Sequence, residues 1–169
     1  LTGKEAPAGV VYPLADPLIE ENHEYDLTGK ITRAEFARIA VDLYYGMSGE
    51  DVVDGLSNPF VDVDEDTDFF KGILAAYKLG IVKGTSTSPV AMTFEPNKLV
   101  SRQEVAVMLA RVFELVGGEI AAWAKDAVAF MTSKGIINGV GGNRFDPKGN
   151  ASVEQALKIA VEMLDKLDV

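Results

Sequence analysis

One pattern occurs three times in this chain: an aromatic ring, a Ser or Thr seven residues later, a Glu or Gln three residues beyond that, and then an apolar stripe of fixed spacing. The rings are Tyr25, Phe94 and Phe145; the hydroxyls are Thr32, Ser101 and Ser152; the third members are Glu35, Glu104 and Gln155. Apolar residues then fall at offsets 4, 7, 8, 11 and 12 from each hydroxyl. They are Phe36, Ile39, Ala40, Leu43 and Tyr44 in the first copy, Val105, Met108, Leu109, Val112 and Phe113 in the second, and Ala156, Ile159, Ala160, Met163 and Leu164 in the third. This spacing follows one face of an α-helix, so three equivalent amphipathic helices are expected to begin at the hydroxyls and share one core.

Each head has the form of a capping box. The hydroxyl accepts from the amide of the third helical residue, and the Glu or Gln side chain accepts from the cap amide in return. Ahead of the second and third capped helices a shorter helix is expected, over 68–79 and about 120–134. Gly80 and Gly135 stop these helices, because the left-handed conformation past a helix end is cheap only for glycine. Trp123, Ala127, Phe130 and Met131 form one face of the later copy. Gly9-Val10-Val11 resembles the same stop, but only eight residues precede it, so the first short helix is expected to be missing or replaced by the stretch 12–21. From glycine to capped hydroxyl is 21 residues in the second unit and 17 in the third; the excess is a polar insertion around Thr85-Ser86-Thr87-Ser88-Pro89 that belongs in a surface loop. The expected organisation is a single domain, 1–169, built from repeats at 1–56, 57–117 and 118–169.

A formal charge of −10 argues against a nucleic-acid binder or a protein that docks on anionic membranes. With no cysteine there is no disulfide framework and no thiol chemistry. No apolar stretch is long enough to span a membrane, and the chain opens on Leu1 without a signal-peptide pattern, which fits a processed chain or a piece of a larger one.

With the repeats laid out, the chain resembles the S-layer homology family over about 9–167. The motifs that carry the resemblance are Phe60-Val61-Asp62-Val63, Trp123-Ala124, Gly80-Ile81-Val82-Lys83-Gly84, Gly135-Ile136-Ile137-Asn138-Gly139, Phe94-Glu95-Pro96, Phe145-Asp146-Pro147 and Ile31-Thr32-Arg33-Ala34-Glu35-Phe36. The resemblance implies an all-α, pseudo-threefold spindle with the capped helices in a central three-helix bundle and the short helices as prongs. It also implies a module of larger secreted proteins at the bacterial cell surface, non-catalytic and without a cofactor, which binds pyruvylated secondary cell-wall polysaccharide in grooves between units. In such proteins the Arg of Thr-Arg-Ala-Glu helps receive the anionic sugar. Matched position by position, that role falls on Arg33 and Arg102, with Glu35 and Glu104 beside them, while the third unit has Val153 in place of Arg. A guanidinium offers paired donors to a carboxylate and Val offers none.

Each candidate also has a plainer reading. Arg33 and Arg102 can pair with a nearby carboxylate on a solvated surface, Glu35 and Glu104 can serve only as caps, and Trp123 can be a core residue. Calcium is a further alternative, because 24–35 aligns with an EF-hand loop with Gly29 at position six, Glu35 at twelve and possible oxygen ligands from Glu24, Asp26 and Thr28. Against it stands Glu24 at position one, where Asp is expected. The run Asp62, Asp64, Glu65, Asp66, Asp68 lacks the other EF-hand positions and reads better as a solvated loop before a helix. His23 is the single histidine, which leaves zinc without a ligand set. No nucleophile elbow or phosphate-cradling loop is present, so no enzymatic activity is expected. Three readings stay open: a glycan-binding anchor, a structural or protein-interaction module of the same fold without glycan binding, and a calcium-dependent domain.

Overall fold

The computed structural model describes residues 29–50, 52, 54–86, 88, 91–118, 127–137 and 146–166. Five helices are present among them: α1 (Arg33–Ser48), α2 (Phe70–Lys78), α3 (Arg102–Leu115), α4 (Ala127–Ser133) and α5 (Val153–Lys166). Extended backbone among the described residues is confined to isolated bridges, so they are helix-rich and compatible with an all-α fold. Trp123 and the stretch 1–28 lie outside the described residues, and with the latter the expectation of a missing or replaced first short helix.

The three long helices begin where the repeats place them. Thr32 Oγ1 accepts from the Glu35 amide at 3.2 Å, and Glu35 Oε2 accepts from the Thr32 amide at 2.7 Å. Ser101 and Glu104 form the same box, and Ser152 and Gln155 form it with a neutral amide. Removal of such a cap typically costs about 1 kcal/mol. We expect Thr32→Ala to lower stability by about that amount, seen as a lower urea midpoint at an unchanged denaturant slope.

Both short helices end as their glycines require. Gly80 (φ 77°) donates to the Tyr77 carbonyl while Ile81 donates to Ala76, and Gly135 (φ 67°) and Ile136 repeat this with Thr132 and Met131. These paired bonds satisfy carbonyls that the helix end leaves open. The start of α2 differs from the expected 68, because Phe69 adopts φ 62° and ψ 26° and its side chain gives no cap. That left-handed residue breaks the helical path, so the helix begins only at Phe70.

The heads of the long helices are tied together in a closed ring. Ile31 donates its amide to the Ala151 carbonyl, Ala151 to Val100, and Val100 back to Ile31, at 3.1 to 3.2 Å. A second set of bonds follows two residues on: Arg33 donates to Lys98, Arg102 to Gly149 and Val153 to Gly29. The Ala34 and Gln103 amides find the Pro96 and Pro147 carbonyls. An α-helix leaves its first amides without intrahelical partners. Here the loop of the following unit supplies them, so each helix start is completed by its neighbour.

Below the ring, α1 packs against α3, α5 and α2, and α4 packs against α3. Each short helix therefore lies on the capped helix that precedes it in sequence. Phe36, Val105 and Ala156, the first stripe residues of the three repeats, belong to one continuous core.

Candidate functional site

Arg33 is the first helical residue of α1, and the carbonyls that complete this helix start turn its side chain into the second unit instead of into water. One guanidinium nitrogen, Nη1, donates to Glu104 Oε1 at 3.2 Å, and Nη2 donates to the Lys83 carbonyl at 2.9 Å. The guanidinium carbon lies 4.9 Å from the centre of the Phe94 ring, a cation–π arrangement. Arg33 is 7% exposed, and its Nε makes no hydrogen bond. The alternative of a pair on a solvated surface does not describe Arg33: its side chain is 9% exposed and only that of Glu104, at 30%, reaches solvent. Burial pushes the Arg33 pKa down, and Glu104 followed by Glu95 opposes that shift.

Glu104 has two tasks. Its Oε2 accepts from the Ser101 amide at 2.8 Å and closes the cap, which leaves Oε1 for Arg33. One carboxylate therefore joins a helix start to a guanidinium from the neighbouring unit. Glu35 caps its own helix in the same way.

The turn that receives Arg33 is itself held from two sides. Arg111, on α3, donates Nη1 to the Ile81 carbonyl at 2.8 Å, two residues before Lys83. Phe94 and Glu95 donate their amides to the two carboxylate oxygens of Asp62, at 2.7 and 2.8 Å, which fixes the ring beneath Arg33. Asp64 accepts from the Asp66 amide and the Thr67 hydroxyl. The acidic run is thus tied into loop geometry through its first two aspartates. Lys98, 2.9 Å away, holds the Glu95 carboxyl below its ordinary range. A depressed carboxylate pKa contributes stability that is present above the unfolded-state pKa and is lost as pH falls through the folded one. Lys98→Ala should move the Glu95 titration upward in a carbon-detected NMR pH series and leave the fold unchanged.

Arg102 repeats the backbone geometry of Arg33 at the head of α3 and is 8% exposed. The residue matching Glu104 in the third unit is Gln155, so the corresponding partner position is uncharged. Val153 is buried at the head of α5. The fold thus brings Arg33 and Glu104 into contact, and it places Arg102 and Glu35 at the other unit junctions.

Sequence reasoning missed four contributors: the Lys83 carbonyl, the Phe94 ring face, Arg111 and Asp62. The repeat marked Phe94 and Asp62 as motif positions, which was the available signal. Lys83 acts through its backbone, so its side-chain identity gave none. Of the EF-hand alignment, Glu24, Asp26 and Thr28 lie outside the described residues, as does His23. Among the described residues no three acids or histidines gather as a metal site, and the Glu35 carboxylate is engaged as a cap.

The profile of the S-layer homology domain matches residues 59–106 and 117–157. The chain belongs to the S-layer homology family. Such domains are cell-surface anchoring modules of secreted proteins, and this is the placement that membership gives the chain. It is similar to regions of an amylopullulanase of Thermoanaerobacterium thermosulfurigenes and of exoglucanase XynX of Acetivibrio thermocellus, each 30% identical over 158 residues and 85% of this chain. An endoglucanase of a Bacillus species (strain KSM-635) is 28% identical over 155 residues and 83% of this chain. The chain spans 8%, 14% and 15% of the lengths of these relatives, so the likeness is to one region of each. No helix among the described residues is long and apolar enough to cross a membrane.

Proposed function

We propose that this S-layer homology module is a non-catalytic anchor that binds acidic, pyruvylated secondary cell-wall polysaccharide at the junctions between its units. The closed hydrogen-bond ring supports a pseudo-threefold spindle, and at its first junction the head of α1 meets the next unit's turn at Lys83, the Phe94 ring and the cap acid Glu104. The single observation that carries the reading is the guanidinium at the head of a capped helix, nine-tenths buried and aimed into a junction. A buried cation of this kind matches a pyruvate-ketal carboxylate, because a charge-assisted bond strengthens where water is excluded. Attachment to larger secreted enzymes, as the relatives' names suggest, belongs to the same proposal.

A second reading draws on one specific observation. Arg33 already donates to Glu104 and Lys83, as expected if the junctions only hold the units together. Co-sedimentation with purified pyruvylated and depyruvylated wall polymer separates the two. Retention on the first polymer alone is the expected result; equal failure on both leaves a structural module.

A further inference from the structure

Three junctions close the ring, and they differ in what holds them. The first unit meets the second through the amides of Val100, Arg33 and Ala34, which donate to the carbonyls of Ile31, Lys98 and Pro96. The second meets the third through Ala151, Arg102 and Gln103, which donate to Val100, Gly149 and Pro147. The third meets the first through Ile31 and Val153, which donate to Ala151 and Gly29. At this last junction the two units are not consecutive in sequence; Lys30 and Asn150, which meet there, are 120 residues apart. One antiparallel bridge recurs at each junction, Thr32 with Leu99, Ser101 with Asn150 and Ser152 with Lys30.

We infer that the ring opens at the junction of the first and last units, in a sub-global step that leaves the other two junctions closed. The helix heads supply one reason. Arg33, at the head of α1, sends its guanidinium across the first junction to Glu104 and the Lys83 carbonyl, and Arg102 places a second buried guanidinium at the head of α3. Val153, at the head of α5, is as deeply buried but has no side-chain donor. Charge-assisted bonds are the stronger ones, the more so where water is excluded. What the described residues show at the last junction is backbone bonds, the packing of α5 on α1 and an exposed 3.5 Å bond from Lys30 Nζ to the Asn150 carbonyl. Connectivity supplies the other reason. The chain does not join these two units directly, so separating them releases more conformational freedom than separating consecutive ones. Stability is uneven within a fold, and segments open as cooperative units. The opened form keeps α1 with α2 and α3 with α4, and it frees two complementary edges, 29–31 and 151–153.

Native-state hydrogen exchange of the whole chain in low urea tests this, because each junction has its own reporter amides. Ile31 and Val153 should share one opening step, populated roughly 10- to 100-fold more than the step that exposes Val100, Ala151, Arg33 and Arg102, the factor that a charge-assisted contact represents. That step should depend on urea, but more weakly than global unfolding, since it exposes less surface. A disulfide gives a second arm, because the chain has no cysteine of its own. Lys30→Cys with Ser152→Cys, at paired bridge positions, should on oxidation slow Ile31 and Val153 to the rate of Val100. The equivalent pair Thr32→Cys with Leu99→Cys should leave the difference in place. Arg33→Val, which gives the first junction the residue found at the last, should bring the amides of Val100 and of position 33 towards the rate of Ile31. Exchange of all these amides only through global unfolding overturns the inference, and so does exchange of Ile31 and Val153 without urea dependence, which is local fraying. An oxidised 30–152 disulfide that leaves Ile31 and Val153 fast removes that junction as the place of opening. An Arg33→Val variant with unchanged Val100 protection removes the guanidinium as its reason.

Discussion

Phe94→Ala is expected to lower the unfolding free energy by about 3 to 5 kcal/mol, the usual cost of emptying a fully buried aromatic site. The Phe94 ring has no exposed surface; it packs 5.3 Å from the Phe60 ring and supports the Arg33 guanidinium from below. Truncation opens a cavity and removes the face on which the buried cation rests. Two losses then coincide. Phe94→Leu keeps most of the volume but lacks the ring quadrupole, so it should fall between wild type and Ala. Urea unfolding of the three proteins checks this ordering. A Phe94→Ala cost below about 1 kcal/mol would mean that the junction collapses around the gap, contrary to the rigid packing expected of a core.

Arg38→Ala should cost a similar amount, about 3 to 5 kcal/mol, because it empties a fully buried site and breaks the ion pair with the partly buried Asp42. Arg38 is 2% exposed, and its Nε donates to Asp42 Oδ2 at 2.8 Å. Gly72 of α2 passes so close that a Cβ there would lie 3.1 Å from Arg38 Cβ. The helices α1 and α2 therefore meet over this side chain. Replacing the pair together, as Arg38→Met with Asp42→Leu, should recover most of the loss, since well-packed apolar residues often match a buried ion pair. Thermal and urea unfolding of the single and double variants decide the point. If the double variant is as unstable as Arg38→Ala, the pair contributes through bonds beyond its charge.

The outcome at Arg38 and at Arg33 marks where sequence reasoning ends. Arg38 occupies offset six of the repeat, and at the same offset Val107 and Lys158 are exposed. Nothing local distinguishes the three; α2 covers the first of them. Arg33 carries the expected motif, but its partners Lys83 and Glu104 lie 50 and 71 residues away in sequence. The choice between a surface ion pair and a place inside a junction could not be made locally for that reason.

By itself the sequence determined the helix starts at Thr32, Ser101 and Ser152, the glycine stops at Gly80 and Gly135, and the shared apolar stripe. Each depends on bonds within a few residues or on a helical period, and such information is present in any window of the chain. Only the tertiary structure decided that each helix start is completed by carbonyls of the next unit, that Glu104 serves a cap and a guanidinium together, and that Arg33 is buried. Those outcomes depend on closing a ring among segments far apart in sequence. The N1 amides and side chains have no local partner to announce, so their destinations exist only once the units meet.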